Sequence, residues 1–150
     1  MNEKWVTAWG NAISVAERRP ENYAKDLTLR YPVKMMLDGS ALRITLDNFC
    51  GHEAVTLTCA SVARSDGADG IAADSRVSLT FSGAKSVVIP AGERLQSDPV
   101  DFPVKKGETI AVSLYFAGFT EMRSGVVITG PLSGGYFAVG NQTDAAVLDM

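Results

Sequence analysis

Only one histidine, His52, occurs in the 150 residues, so any nucleophilic mechanism that needs an imidazole base must use it. Cys50 lies two positions away in Asn48-Phe49-Cys50-Gly51-His52-Glu53. Side chains at i and i+2 of a turn are not within hydrogen-bond reach by spacing alone, and no orienting third group is evident. Zinc wants three or four clustered ligands, whereas Cys50, His52 and Glu53 crowd one turn with no second ligand pair spaced to match. His52 therefore reads as a surface turn histidine. There is no Gly-x-Ser-x-Gly elbow, phosphate loop or dinucleotide fingerprint. Nothing nominates a carboxylate pair for glycoside cleavage, because the fold sets their separation.

Two other groups of residues have types suited to binding. Asp66, Asp69 and Asp74 lie in the Gly-, Ala- and Asp-rich stretch Ser65 to Ser75, a weak calcium candidate because hard cations take several oxygen ligands. The stretch fails the EF-hand spacing, and a solvated loop is the simpler reading. Trp5 and Trp9, four residues apart, share one face whether their segment is helical or extended. Paired rings can stack on a sugar, but packing in a core or against another domain is their commoner use. Tyr115 and Tyr136 join them as aromatic candidates for a ligand or domain-docking face.

The elements that must position these residues are strands. Leu27, Leu29, Tyr31, Val33, Met35 and Leu37 alternate with Thr28, Arg30, Pro32, Lys34 and Met36, and Leu42, Ile44 and Leu46 alternate with Arg43, Thr45 and Asp47. With Asp38-Gly39-Ser40 between them, this predicts a hairpin with one wet and one buried face, since Asp-Gly suits the positive backbone angles of tight turns. Pro32 cannot donate a ladder bond and marks an edge or bulge. Val55, Leu57 and Cys59 continue one face of the next strand, with Thr56, Thr58 and Ala60 on the other. Further strands follow at Val77–Phe81 and Ser86–Ile89. The segment Leu95–Val104 reads as an edge with Asp98 and Asp101 outward. Ile110, Val112, Leu114 and Phe116 make the clearest alternation and predict a central strand. Short strands at Gly125–Ile128 and Tyr136–Val139 end the series, while Asn11–Arg19 offers at most a turn or two of helix before Pro20. Turn signals every ten or so residues, with no long helix, argue for an all-β fold of two packed antiparallel sheets.

Composition agrees with one globular domain: 46% of residues are hydrophobic, and no apolar run approaches a membrane span. The formal net charge is −3, with basic residues scattered apart from Arg18-Arg19 and Lys105-Lys106. Nucleic-acid binding wants a concentrated basic face, so it is not expected. Met1-Asn2-Glu3-Lys4-Trp5 lacks the basic and apolar parts of a secretion signal, which points to a cytoplasmic chain or one cut from a longer protein. The Asn141-Gln142-Thr143 sequon is then idle. A hairpin would hold Cys50 and Cys59 several residues apart at ~3.3 Å each. A disulfide tolerates only about 4–7 Å between Cα atoms, so both read as free thiols, Cys59 buried.

Several blocks together resemble a known family. Trp5-Val6-Thr7-Ala8-Trp9, Thr28-Leu29-Arg30 and the run from Gly39 to Gly51 (GSALRITLDNFCG) resemble the N-terminal β-sandwich module of bacterial SGNH (GDSL-type) hydrolases. Ser61-Val62-Ala63, Ser86-Val87-Val88-Ile89-Pro90-Ala91-Gly92, Ser97-Asp98-Pro99-Val100 and Ala111-Val112-Ser113-Leu114-Tyr115 extend the likeness in the same order. Each block is ordinary strand-and-turn sequence; their order and spacing carry the match, which covers nearly the whole chain. The resemblance implies a jelly-roll-like module with little helix and an esterase or lipase-like parent. Its partner would be an SGNH catalytic domain following near Met150, and no cofactor is implied. The family's Gly-Asp-Ser and Asp-x-x-His blocks do not occur here, so no catalytic residue carries over. The expected role is a non-catalytic module that packs on and shapes the hydrolase domain. The alternative is a carbohydrate-binding module that targets the esterase to acetylated polysaccharide.

Overall fold

Alternating apolar residues form strands only where another strand satisfies their backbone, and here every such partner is supplied antiparallel. The computed structural model describes residues 4–10, 15–18, 23–121, 124–126 and 134–150. It contains fifteen short strands: β1 (Val15–Arg18), β2 (Tyr23–Ala24), β3 (Leu27–Lys34), β4 (Gly39–Leu42), β5 (Thr45–Asp47), β6 (Val55–Leu57), β7 (Cys59–Arg64), β8 (Val77–Leu79), β9 (Val87–Ile89), β10 (Arg94–Gln96), β11 (Val100–Val104), β12 (Thr109–Phe116), β13 (Thr120–Glu121), β14 (Ser124–Val126) and β15 (Tyr136–Val139). A single 3-10 turn at Ala73–Ser75 is the sole helical element among the described residues.

The pairing is nested. β7 pairs with β8, β6 with β9, β5 with β10, β4 with β11, β3 with β12, β2 with β13 and β1 with β14. The chain is thus one long two-stranded ribbon whose tip is the loop between β7 and β8. Curling the ribbon lets β12 also pair with β7, and β15 adds beside β3, giving a five-stranded sheet in the order β15-β3-β12-β7-β8. The pairs β4–β11, β5–β10 and β6–β9 form the facing layer. A ribbon folded over itself into two antiparallel layers is the jelly-roll arrangement, so the all-β sandwich expected from the alternation is the fold observed.

One core lies between the layers. Val33, Val62, Leu79, Ile110 and Phe116 of the five-stranded sheet meet Leu42, Leu57, Phe102 and Val104 of the facing layer. Val62 and Leu79 are wholly buried, and each such side chain contributes about 1.5–3 kcal/mol. β12 is central, as its alternation predicts. Pro32 sits opposite Ala111 but beyond Arg30, where the pairing of β3 with β15 ends. Its missing N–H therefore falls on an open stretch of β3.

Four expectations are corrected. The segments around Asp38-Gly39 do not pair with each other: β3 joins β12 and β15, whereas β4 joins β11. Gly39 is an ordinary strand residue without a positive φ. The Asp38 carboxylate accepts from the Lys106 N–H at 2.7 Å and so caps the neighbouring turn, while the chain passes from one layer to the other. A similar crossing at Thr58 reverses the phase of the next stretch. Leu57 is buried in the facing layer, but beyond it Ala60 and Val62 point into the core and Cys59, half-buried, turns to the outer face. Asp98 is not simply outward, since Thr80, Ser82 and Gly83 all donate to it. Val15–Arg18 is a strand, not a helical turn. The remaining residues of the expected helix, together with 127–128 of the strand expected at Gly125–Ile128, lie outside the described residues.

Candidate functional site

The sheet's outer face carries an unexpected charge. Arg30 sits on the polar phase of β3 and is wholly buried. Its Nε donates to Ser113 Oγ at 2.9 Å, Nη1 to the Asp69 carbonyl at 2.8 Å and Nη2 to the Gln142 carbonyl at 3.0 Å. Burial lowers its pKa, opposed by the nearby Asp69 and Asp144 carboxylates and assisted by Arg76. Arg30 is covered by the loop at Asp69 and by the C-terminal segment from Gly140 onward. Thr28 Oγ1 donates to the Gly140 carbonyl at 2.6 Å and accepts from the Gln142 N–H at 3.0 Å. Ser61 Oγ donates to the Thr143 carbonyl at 3.2 Å, and the Leu148 N–H donates to Asp69 Oδ2 at 2.9 Å. The C-terminal segment is thus a strap across β3, β12 and β7.

Two cavities flank this strap. The first, about 360 Å³, opens between edge strand β8 and the C-terminal turn, lined by Cys59, Arg76, Ser78, Lys85, Asn141 and Asp144 among others. The second, about 440 Å³, is a more open groove lined by Pro32, Ser65, Gly67, Ala68, Thr109 and Tyr136. Gly67 and Ala68 both have positive φ, at 91° and 46°, so the bend that shapes the groove is held by backbone that an alanine seldom adopts.

The residues singled out from sequence do not converge. Trp5 is exposed with the Arg43 guanidinium 4.2 Å from its ring centroid, and Trp9 is also exposed. Between them Ala8 packs against the core. The Tyr115 hydroxyl donates to Asp26 Oδ1 at 2.7 Å, and that bond raises its pKa ahead of desolvation and the Asp26 charge. Of these aromatic residues, Tyr136 lines the second cavity. It pairs across β15 with Arg30, while Tyr115 pairs with Thr28 one row away on the far side of β3. The strap runs between them.

Asp69 serves Arg30 and Leu148, and the loop closes on itself where the Asp66 N–H donates to the Gly70 carbonyl at 2.9 Å. Asp74 is exposed in the 3-10 turn. The loop is not fully solvated, because Ile71 is buried with Ala63 and Ala111. Among the described residues no three His, Cys, Asp or Glu side chains are grouped to hold a metal ion. Cys50 and Cys59 are free thiols, both half-buried, and His52 is exposed.

Apolar groups gather at one corner of the sandwich. The Asp26 N–H donates to the Ala117 carbonyl at 3.2 Å and its carbonyl accepts from the Gly140 N–H at 2.7 Å, bringing together the start of β3 and the ends of β12 and β15. Beside this junction the Tyr23 and Phe119 rings stack with centroids 5.0 Å apart, both exposed. Phe137 and Val139 lie opposite Leu29 and Leu27 on the core-facing side of the sheet, yet they are 66% and 72% exposed because β15 is the sheet edge. No helix among the described residues is long and apolar enough to cross a membrane.

Sequence reasoning did not find Arg30, Arg76, Lys85 or Thr143. The one local signal was an arginine between Thr28 and Pro32 on the polar phase of β3. No family model matches the chain, and no curated protein matches it.

Proposed function

We propose that this chain is a non-catalytic accessory module of an SGNH-type ester hydrolase, docking on the catalytic domain and helping to frame its cleft. The resemblance of the ordered blocks supports the parent family, and the exposed apolar corner supports the docking role. That corner carries the argument: Tyr23, Phe119, Phe137 and Val139 are large, exposed and gathered at one end of the sandwich. Rings of this kind, once desolvated, dominate interface energies. The decisive experiment compares hydrolysis of p-nitrophenyl acetate by these 150 residues and by the polypeptide read through to its natural stop codon. Turnover only in the longer chain, reduced by Phe137→Asp, is the expected result. Turnover by the 150 residues alone, or none in either, overturns the proposal.

A second reading, a carbohydrate-binding module directed at acetylated polysaccharide, is favoured by one observation. Tyr136 is a half-buried ring on the wall of an open groove that also offers the Ser65 and Thr109 hydroxyls, the combination of flat face and polar rim that suits a sugar.

A further inference from the structure

We propose that the cavity between β8 and the C-terminal turn holds the carboxylate of an acidic sugar, a hexuronate unit of a polysaccharide, with Arg76 and Lys85 as its anchors. The inference deepens the carbohydrate-binding reading and rests on it. Arg76 is fixed before any ligand arrives. Its Nε donates to the Thr143 carbonyl at 3.1 Å and its Nη2 to Thr143 Oγ1 at 3.3 Å. Thr143 is itself buried, and its hydroxyl donates to Asn141 Oδ1 at 2.8 Å. Arginine has five N–H donors, and Nη1 reaches only Ser78 Oγ, at 3.5 Å. Donors therefore remain on a guanidinium that lines the cavity and is already oriented.

Lys85 is exposed and, among the described residues, makes no hydrogen bond or ion pair. Two cations thus face one carboxylate, Asp144, in the same cavity. A third cation, the buried Arg30, interacts with Asp69, Arg76 and Asp144, so three cations stand against two carboxylates. In a chain of net charge −3, this positive excess is local and calls for an anion. Asn141 and Ser78 add the amide and hydroxyl that sugar hydroxyl groups require. Among the described residues no aromatic ring lines the cavity, so its chemistry is charge and hydrogen bonding, in contrast to the Tyr136 groove. A volume of about 360 Å³ lies at the small end of ligand clefts, which suits one sugar unit.

The test is calorimetric titration of the 150-residue chain with trigalacturonate, with cellotriose as the neutral trisaccharide and with inorganic phosphate as a simple anion. Trigalacturonate should bind more tightly than either, and weaken with added salt. Lys85→Ala should weaken it about 10-fold, whereas Asp144→Asn should tighten it about two-fold by removing a like charge. Cellotriose should ignore Lys85→Ala and lose affinity with Tyr136→Ala. If both sugars bind through Tyr136 and neither responds to Lys85→Ala, the acidic-sugar site falls while the carbohydrate reading stands. Phosphate binding as tightly as trigalacturonate overturns the sugar assignment. Binding of neither sugar overturns both readings.

Discussion

Replacing Arg30 by Met tests whether the strap over the outer face is held by that single buried cation. Met keeps most of the stem's volume, so the change chiefly removes three hydrogen bonds, to Ser113 Oγ and to the Asp69 and Gln142 carbonyls. Bonds from a charged donor contribute about 1.5–3 kcal/mol each, or roughly 5–9 kcal/mol together. Against this, the variant no longer desolvates an ion, which offsets several kcal/mol. The two carbonyls are only partly buried and can rewet, but Ser113 is 1% exposed and cannot. The net loss expected is about 3 kcal/mol, which for a domain of this size lowers Tm by roughly 6–12 °C. Differential scanning calorimetry reads the total, and hydrogen exchange locates it. The amides of Ile71, Gln142 and Leu148, which bond to or from the strap, should lose protection ahead of those in β12. A Tm equal to or above the parent's, with Gln142 and Leu148 still protected, would refute the reasoning.

Further outcomes follow from single contacts. The Asp98 carboxylate is held below the usual range, first by the Thr80 hydroxyl and then by the Gly83 and Ser82 amides. A depressed folded-state pKa gives stability above the unfolded value of ~3.9 that is lost as pH falls through the folded one. The Tm gap between parent and Asp98→Asn should therefore be wide at neutral pH and shrink below pH ~4; a gap independent of pH would contradict it. Tyr115 is the opposite case, its pKa raised by the bond to Asp26. Tyr115→Phe should lower Tm at neutral pH, and the difference should close as pH rises above ~10. A Cβ at Gly51 would lie 1.9 Å from Asn48 Oδ1, while Asn48 Nδ2 donates to the Glu53 and Ile89 carbonyls at 2.8 and 3.1 Å. Gly51→Ala should then cost about 1–3 kcal/mol in urea unfolding. Gly39→Ala, whose Cβ meets nothing closer than 3.6 Å, should be nearly neutral; a larger loss there than at Gly51 would reverse the argument.

What the sequence conveyed well was local. The alternation in Leu27–Lys34, Thr109–Phe116 and Tyr136–Val139 marks strands that exist, and the uninterrupted pattern of Ile110 to Phe116 belongs to the middle strand of the five-stranded sheet. Which strand meets which was not legible. Alternation has the same period in a hairpin and in a strand that leaves for the opposite layer, and Asp38-Gly39 can terminate either. Thr58 shows the same limit, because one residue at a crossing inverts the inside and outside of everything after it. Arg30 reads as solvent-facing on its own strand, and what covers it, the Asp69 and Gln142 carbonyls, lies 39 and 112 positions later in the chain. The charged cavity is assembled from β7, β8, the turn at Lys85 and the C-terminal segment. Its parts share no spacing that a linear reading could detect.

The nested ribbon has a kinetic consequence. Val62–Val77 is a short closure at the ribbon's tip, whereas Arg18–Ser124 joins points almost at opposite ends of the chain. Chain entropy charges each closure by the loop still open, so pairs formed outward from the tip find their partners already near, and pairs formed from the ends do not. Assembly should run like a zipper from β7–β8 toward β1–β14, on the ~millisecond-to-second scale of proteins dominated by distant contacts. The strap and β15 dock only after β3 has joined β12, so the surfaces assigned here to ligand and partner are the last to exist.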